Sequence, residues 1–367
     1  MAVFSAIGIT LAVFLGFLLL IKQGARHSDR WLAAWFFTLS LHAYYLISVA
    51  EMSGTPSWIS MIAHPMFLLY GPLMLAYITQ ITSHNRLNLW HFLPYISLVL
   101  ILFGVHQFGP VYGSIVEFKG RMLITSYQQK SWLFYLLNFA LLPYLFYPIY
   151  SLKLLSQHRT KIENSYSDIS KVELSWIRWW IYSTLAGVMC TVFIILLPNR
   201  WFSQEVIGGI IFSSINLQML YVGIKGLKQT RIFVAERTEG ESGFDKSHHP
   251  GSLNKQSSEP LAEISNSQTE EIETFQASII QLTEYVDSSQ VFLESSLMSE
   301  QLAIQLGWKM EHLTKVLNQG VGQSFFEFIN RRRVEEAKKF LADKNYQECT
   351  ILAIAYDAGF NSKTAFN

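Results

Sequence analysis

One short stretch carries the side chains best suited to chemistry: Lys309, Met310, Glu311, Thr314 and Lys315. If residues 310–318 form a helix, Leu313, Val316 and Leu317 share one face and the polar groups lie opposite. A lysine ammonium meets a phosphate as a point charge. Threonine and glutamate can bond to base edges in a major groove. A second set, Asn361, Ser362 and Lys363, follows Gly359 much as the first follows Gly307. The chemistry these residues offer is contact with phosphates and base edges, not bond-making.

Catalytic and metal-binding chemistry finds little support elsewhere. Residues 1–237 hold no carboxylate pair, metal-ligand cluster or phosphate-binding glycine loop. The polar residues inside apolar stretches are His42, His64, Asn138, Asn216 and Gln218. Such groups can line a ligand site, but they serve equally as hydrogen bonds between helices, and packing is the favoured reading. His248 and His249 stand together without cysteines nearby. The expectation is therefore a non-enzyme with no catalytic residue, metal or cofactor.

The reading residues need elements to aim them. In Ser299–Leu306 the apolar positions Leu302, Ala303 and Leu306 share a helical face. Gly307 is placed to end that helix in a left-handed turn. Helix, glycine turn and helix within about 20 residues is the helix-turn-helix pattern. The pattern recurs: Ile354, Ala355, Gly359 and Phe360 repeat Leu302, Ala303, Gly307 and Trp308 at a constant offset of 52. Between them, residues 324–341 read as one helix, with Ser324 and Glu327 spaced for a capping box. Eighteen helical residues span about 27 Å, a length suited to placing two recognition helices in neighbouring grooves about 34 Å apart.

The stretch Leu302-Ala303…Leu306-Gly307…His312-Leu313, then residues 322–330 (GQSFFEFIN), Arg333-Val334-Glu335-Glu336-Ala337 and Ile354-Ala355…Gly359-Phe360-Asn361-Ser362-Lys363, resembles the AraC/XylS-type DNA-binding domain. The resemblance covers roughly residues 280–367. The whole chain resembles the membrane-bound members, in which a multi-helix sensor region precedes this domain. That implies a transcription regulator, and it implies that Arg333 is structural rather than base-reading. Two departures stand out. Lys309 occupies the cap position of the first recognition helix, where the family has Ser or Thr. The chain also stops at Asn367, inside the second recognition helix, so the domain is expected to be incomplete at its C-terminal end. The domain is acidic, with 9 Lys/Arg against 12 Asp/Glu in residues 272–367. The run Arg331–Arg333 reads as well as a solvated face paired to Glu335 and Glu336.

The rest of the chain is of another composition. Half of all residues are hydrophobic and 15% are charged, against about 25% charged in soluble domains. Seven stretches are long and apolar enough to be spans: 3–21, 31–49, 58–80, 90–108, 132–151, 176–197 and 206–224. Trp31, Trp58, Trp90, Trp132 and Trp176 each open one, as indoles at a headgroup layer would. Loop charges set the direction: 12 Lys/Arg on one side and 4 on the other put the N-terminus outside and the C-terminal domain in the cytoplasm of a bacterial (inner) membrane. Gly187 with Thr191 and Gly209 with Ser213 read as helix contacts. Residues 238–271 are rich in Ser, Glu, Asn and Gln and read as a disordered linker. Cys190 and Cys349 read as two buried free thiols.

The expected fold class is all-α. It comprises a seven-helix transmembrane sensor domain over 1–230, the linker over 238–271, and a double helix-turn-helix domain over 272–367. The expected partners are double-stranded DNA, the lipid bilayer, and an unknown small-molecule or membrane signal, with a homodimer left open. Two other functions fit less well: a membrane transporter, and a receptor whose helical cytoplasmic tail binds a protein partner.

Overall fold

The structure is a computed structural model that describes residues 2–50, 57–82, 88–108, 115–119, 122–126, 143–170, 172–196, 204–240 and 263–366. It is mainly helical. The first part comprises α1 (Ala2–Ile21), α2 (His27–Ala50), α3 (Ser57–Ala63), α4 (Phe67–Thr82), α5 (Leu93–Phe108), α6 (Pro143–Glu163), α7 (Ser175–Leu196) and α8 (Gln204–Gly240). One antiparallel hairpin departs from the all-α expectation. Its strands, β1 (Ile115–Lys119) and β2 (Met122–Ser126), pair with Glu117 opposite Ile124. The second part holds α9 (Glu263–Ser289), α10 (Ser299–Gln305), α11 (Met310–Lys315), α12 (Phe325–Ala342), α13 (Ile351–Asp357) and α14 (Lys363–Phe366).

The chain divides into two compact units. One is 1–156 with 174–237; the other is 157–173 with 238–367. The second therefore includes the segment joining α6 to α7, which the sequence reading assigned to the membrane part. Helix α9 starts at Glu263, inside the stretch expected as linker; 241–262 lie outside the described residues.

Aliphatic side chains make up most of the core of the first unit, with the rings of Trp35, Phe36, Tyr77, Tyr147, Trp176 and Trp180 packed among them. Phe36, Tyr77, Trp180, Ile177 and Val222 are buried there. Trp35 and Trp180 meet edge to face with centroids 4.9 Å apart. Trp176 is buried rather than at a rim, and its indole N–H donates to Gln229 Oε1 at 2.9 Å. Outside this core the unit shows apolar side chains to its surroundings, among them Phe14, Phe17, Trp179, Met189, Phe193 and Leu217.

Three described helical stretches are long and apolar enough to cross a membrane: Val3–Ile21, Met61–Thr82 and Gly209–Gln229. Leu89–Gly104 is apolar but shorter. The other expected spans also fall on helices, as far as they are described; residues 132–142 and Asn138 lie outside. Among them, α6 carries Lys153, Arg159 and Lys161 in its second half.

Two packing expectations need correction. Among the described residues, a methyl group added at Gly187 would meet nothing within 4 Å, and one at Gly209 only the ring of Phe4 at 4.0 Å. The close approaches lie elsewhere: at Gly71 a Cβ would fall 2.4 Å from the Tyr147 ring, and at Gly223 it would fall 2.6 Å from Leu15. Spacing alone does not say which face of a helix meets a neighbour. Both cysteines are exposed, not buried; Cys190 shares the outward apolar side of α7 with Met189 and Phe193. The amides within the apolar helices do bridge helices. Asn216 Nδ2 donates to Phe4 O at 2.8 Å, and Gln218 Nε2 donates to Thr184 Oγ1 at 2.7 Å.

Candidate nucleic-acid interface

The two glycine turns of the C-terminal unit are built alike, bond for bond. Gly307 has φ +68° and Gly359 has φ +91°, a region open to glycine at little cost. Gly307 N–H donates to Ile304 O at 3.0 Å, and Trp308 N–H to Ala303 O at 2.8 Å. Gly359 N–H donates to Tyr356 O at 3.0 Å, and Phe360 N–H to Ala355 O at 3.0 Å. This is the paired closure of a Schellman motif, repeated at the offset of 52 seen in the sequence. The buried residues repeat as well: Leu302 and Ala303 in the first turn, Ile354 and Ala355 in the second.

Beyond each turn stands a recognition helix. Lys309 is the N-cap of α11 in extended backbone and makes no side-chain cap bond. Lys309, Glu311 and Lys315 are exposed, Met310 and Thr314 are half-buried, and Leu313 is fully buried beneath them. Thr314 Oγ1 donates to Met310 O at 2.9 Å, so its hydroxyl proton is held by its own helix. Lys315 Nζ lies 5.7 Å from the centre of the Phe275 ring on α9. At the second site Ser362 Oγ accepts from Ala365 N–H at 3.1 Å and so caps α14. Asn361 and Lys363 are exposed beside it. The structure thus gathers the expected residues into two groups, one at the start of each recognition helix.

Helix α11 does not stop at Lys315. It widens into a π-helical turn, Val316–Val321, which ends at Gly322 in a left-handed conformation. The turn packs against α9, where a Cβ at Gly320 would meet Ile279 at 2.7 Å. His312 Nε2 lies 3.2 Å from Ser278 Oγ on the same helix. Sequence reading missed this support for the first recognition helix. Its signal was there in α9: Phe275, Ile279, Leu282 and Val286 recur at three- and four-residue steps.

Helix α12 joins the two sites. Its cap is reciprocal, as the spacing implied: Ser324 Oγ accepts from Glu327 N–H at 3.2 Å, and Glu327 Oε2 accepts from Ser324 N–H at 2.9 Å. The three arginines at its centre do different things. Arg331 is exposed. Arg332 pairs with Asp287, and its guanidinium carbon lies over the Phe328 ring, 3.9 Å from the centroid. Arg333 is fully buried. The run is therefore not a single solvated face, and Glu335 and Glu336 pair instead with Lys338 and Lys339. Burial lowers the Arg333 pKa to about 10, opposed by the charges of Asp168 and Glu294. It stays cationic at neutral pH. Phe360 docks with Ala337 of α12 in the second small core, and its ring lies 5.9 Å from the Arg333 guanidinium carbon.

Residues 302–367 match the helix-turn-helix domain family, of the AraC type. Two uncharacterized HTH-type transcriptional regulators of Staphylococcus aureus, from strains COL and MSSA476, are each 31% identical to this chain over 86 residues. Those residues are 23% of this chain and only 11% of either relative. No solved structure matches the chain. The C-terminal unit therefore carries a helix-turn-helix domain of the AraC type.

Proposed function

We propose that the protein is a membrane-embedded transcription regulator that couples a signal at the membrane to sequence-specific promoter binding. The observation that carries this reading is the repeated helix-turn-helix closure in a chain whose other unit turns apolar side chains outward. Residues 1–230 form the sensor domain, with seven spans, the N-terminus outside and the DNA-binding domain in the cytoplasm of a bacterial cell. A soluble protein rarely exposes large contiguous apolar patches, and hydrocarbon is the surrounding that suits these outward side chains. The 12 to 4 distribution of loop Lys/Arg supports this direction.

In this reading Lys309 and Lys315 meet phosphates, and Glu311 or Thr314 reads bases with Met310 against them. Asn361, Ser362 and Lys363 form the second contact, with α12 between the two. The test is selection of bound sequences from genomic DNA by the purified chain in lipid discs. Enrichment of one motif, lost in a Lys309→Ala, Lys315→Ala double variant, is the expected outcome. Equal recovery of all sequences by both proteins would overturn it.

A further inference from the structure

Residues 164–172 join α6 to α7, yet they pack as part of the C-terminal unit. The contact is an isolated antiparallel β-bridge with its two flanking backbone hydrogen bonds. Ser299 N–H donates to Ser165 O at 3.0 Å, Ser167 N–H donates to Leu297 O at 3.2 Å, and Tyr166 stands opposite Met298 in an antiparallel bridge. Ile169 and Val172 are buried behind it. Arg159 closes the base, with Nε 2.6 Å from Glu163 Oε1 and Nη1 4.0 Å from Glu173 Oε1.

Ser167 then enters the socket around Arg333. Arg333 Nη1 donates to Ser167 O at 3.3 Å and Nη2 to Ser167 Oγ at 3.1 Å. Asn330 Nδ2 donates to the same carbonyl at 2.9 Å. The remaining bonds of the guanidinium stay within the domain, to Phe292 O and Glu294 O at 2.6 Å each and to Asn330 Oδ1 at 3.1 Å. A buried guanidinium has five donors to satisfy, and an unmet one is costly. Without Ser167, two of these bonds have no acceptor from the domain. Lys309, Glu311, Lys315, Asn361 and Lys363 all remain exposed with the strand in place. The strand grips the domain away from its reading residues.

We infer that residues 165–169 are a docking strand by which the helices α6 and α7 hold the DNA-binding domain, with Arg333 and Asn330 as its socket. This rests on the proposed function for what α6 and α7 are: spans that a signal can move. A shift of one against the other pulls on a strand seated beside α10 and α12. It re-aims both recognition helices without covering them. The docking strand then serves as the handle.

The experiment uses the full chain in native membranes, with Cys190 and Cys349 replaced by serine and a protease site inserted within residues 241–262. Directly opposed residues of an antiparallel pair have Cα atoms about 4.5–5.5 Å apart, within the reach of a disulfide. Mild oxidation of a Tyr166→Cys, Met298→Cys variant should keep the two proteolytic pieces joined on a non-reducing gel. A Tyr166→Cys, Ile304→Cys variant should let them separate, because Ile304 points outward from α10. Without introduced cysteines, the cut C-terminal piece should stay with the membranes, and Ser167→Pro should raise its release several-fold. Failure of the first pair to join, joining by both pairs, or release without Ser167→Pro each overturns the docking strand. DNA binding is read on the same membranes. Joined pieces without DNA binding would count against the proposed function alone; DNA binding without joining would count against the docking strand alone.

Discussion

Gly359 lies against the backbone of Leu293: a Cβ at Gly359 would fall 2.8 Å from Leu293 Cα and 2.8 Å from its carbonyl oxygen. Gly307, its counterpart in the first turn, has the same left-handed backbone, but a Cβ there would meet nothing within 4 Å among the described residues. The pair separates two penalties. Alanine at Gly307 carries only the left-handed conformation, about 1–2 kcal/mol. Alanine at Gly359 must also push apart two backbone segments, which cannot rotate away as a side chain can. Gly359→Ala should lower the thermal midpoint of the C-terminal unit clearly more than Gly307→Ala. Equal losses would mean that Gly359 and Leu293 are not packed this closely.

The cap of α12 gives a smaller effect. Ser324→Ala removes the acceptor for Glu327 N–H and should cost about 1 kcal/mol. Ser324→Gly should cost only a few tenths. Chemical denaturation of the two variants checks the order, and a larger loss in the glycine variant would refute the capping role.

Sequence showed the C-terminal domain more fully than its support. The offset of 52 gave both turns, and the spacing of Ser324 and Glu327 gave the cap, because each is a local pattern of few residues. The seat of Arg333 was half legible. It falls in the row Ile329, Arg333, Ala337, the buried face of α12, so a core position could be read there. Its partner Ser167 could not, since 166 residues separate them and nothing local marks a serine as an acceptor. The same limit applies to Gly71 and Tyr147. Small-residue spacing names candidates for close contact, but the rotation of each helix decides which are used.

DNA binding should divide the exposed residues of α11 by role. Lys309→Ala should weaken binding to all sequences and lower the salt slope by about 1. Glu311→Ala should instead change preference at one base pair, by about 1–3 kcal/mol. Binding isotherms at several salt concentrations distinguish the two. An unchanged slope in Lys309→Ala would remove it from the phosphate contacts.

Reporter fusions test the direction of the chain. A fusion after Lys228 should behave as cytoplasmic, and a fusion between 109 and 114 as external. Since DNA is inside the cell, an external signal at Lys228 would sever the membrane reading from the DNA-binding domain.

His158, near the end of α6, predicts a pH response in the segment that carries the docking strand. Burial lowers its pKa from the ordinary value of 6.5, Lys161 acts in the same direction, and the Val172 backbone opposes them. The folded segment therefore prefers the neutral ring. Its stabilising share is fully present above the unfolded pKa of 6.5 and is lost as pH falls through the lower folded value. The thermal midpoint of the C-terminal unit, with residues 157–173 packed in it, should fall between about pH 7 and pH 5. His158→Gln cannot take up the proton, so its midpoint should fall less over the same range, even if its stability at pH 7 is lower. The comparison is one of slopes rather than of absolute midpoints. If wild type and His158→Gln lose stability in parallel on acidification, other groups govern the response and the ring is not held neutral by its surroundings.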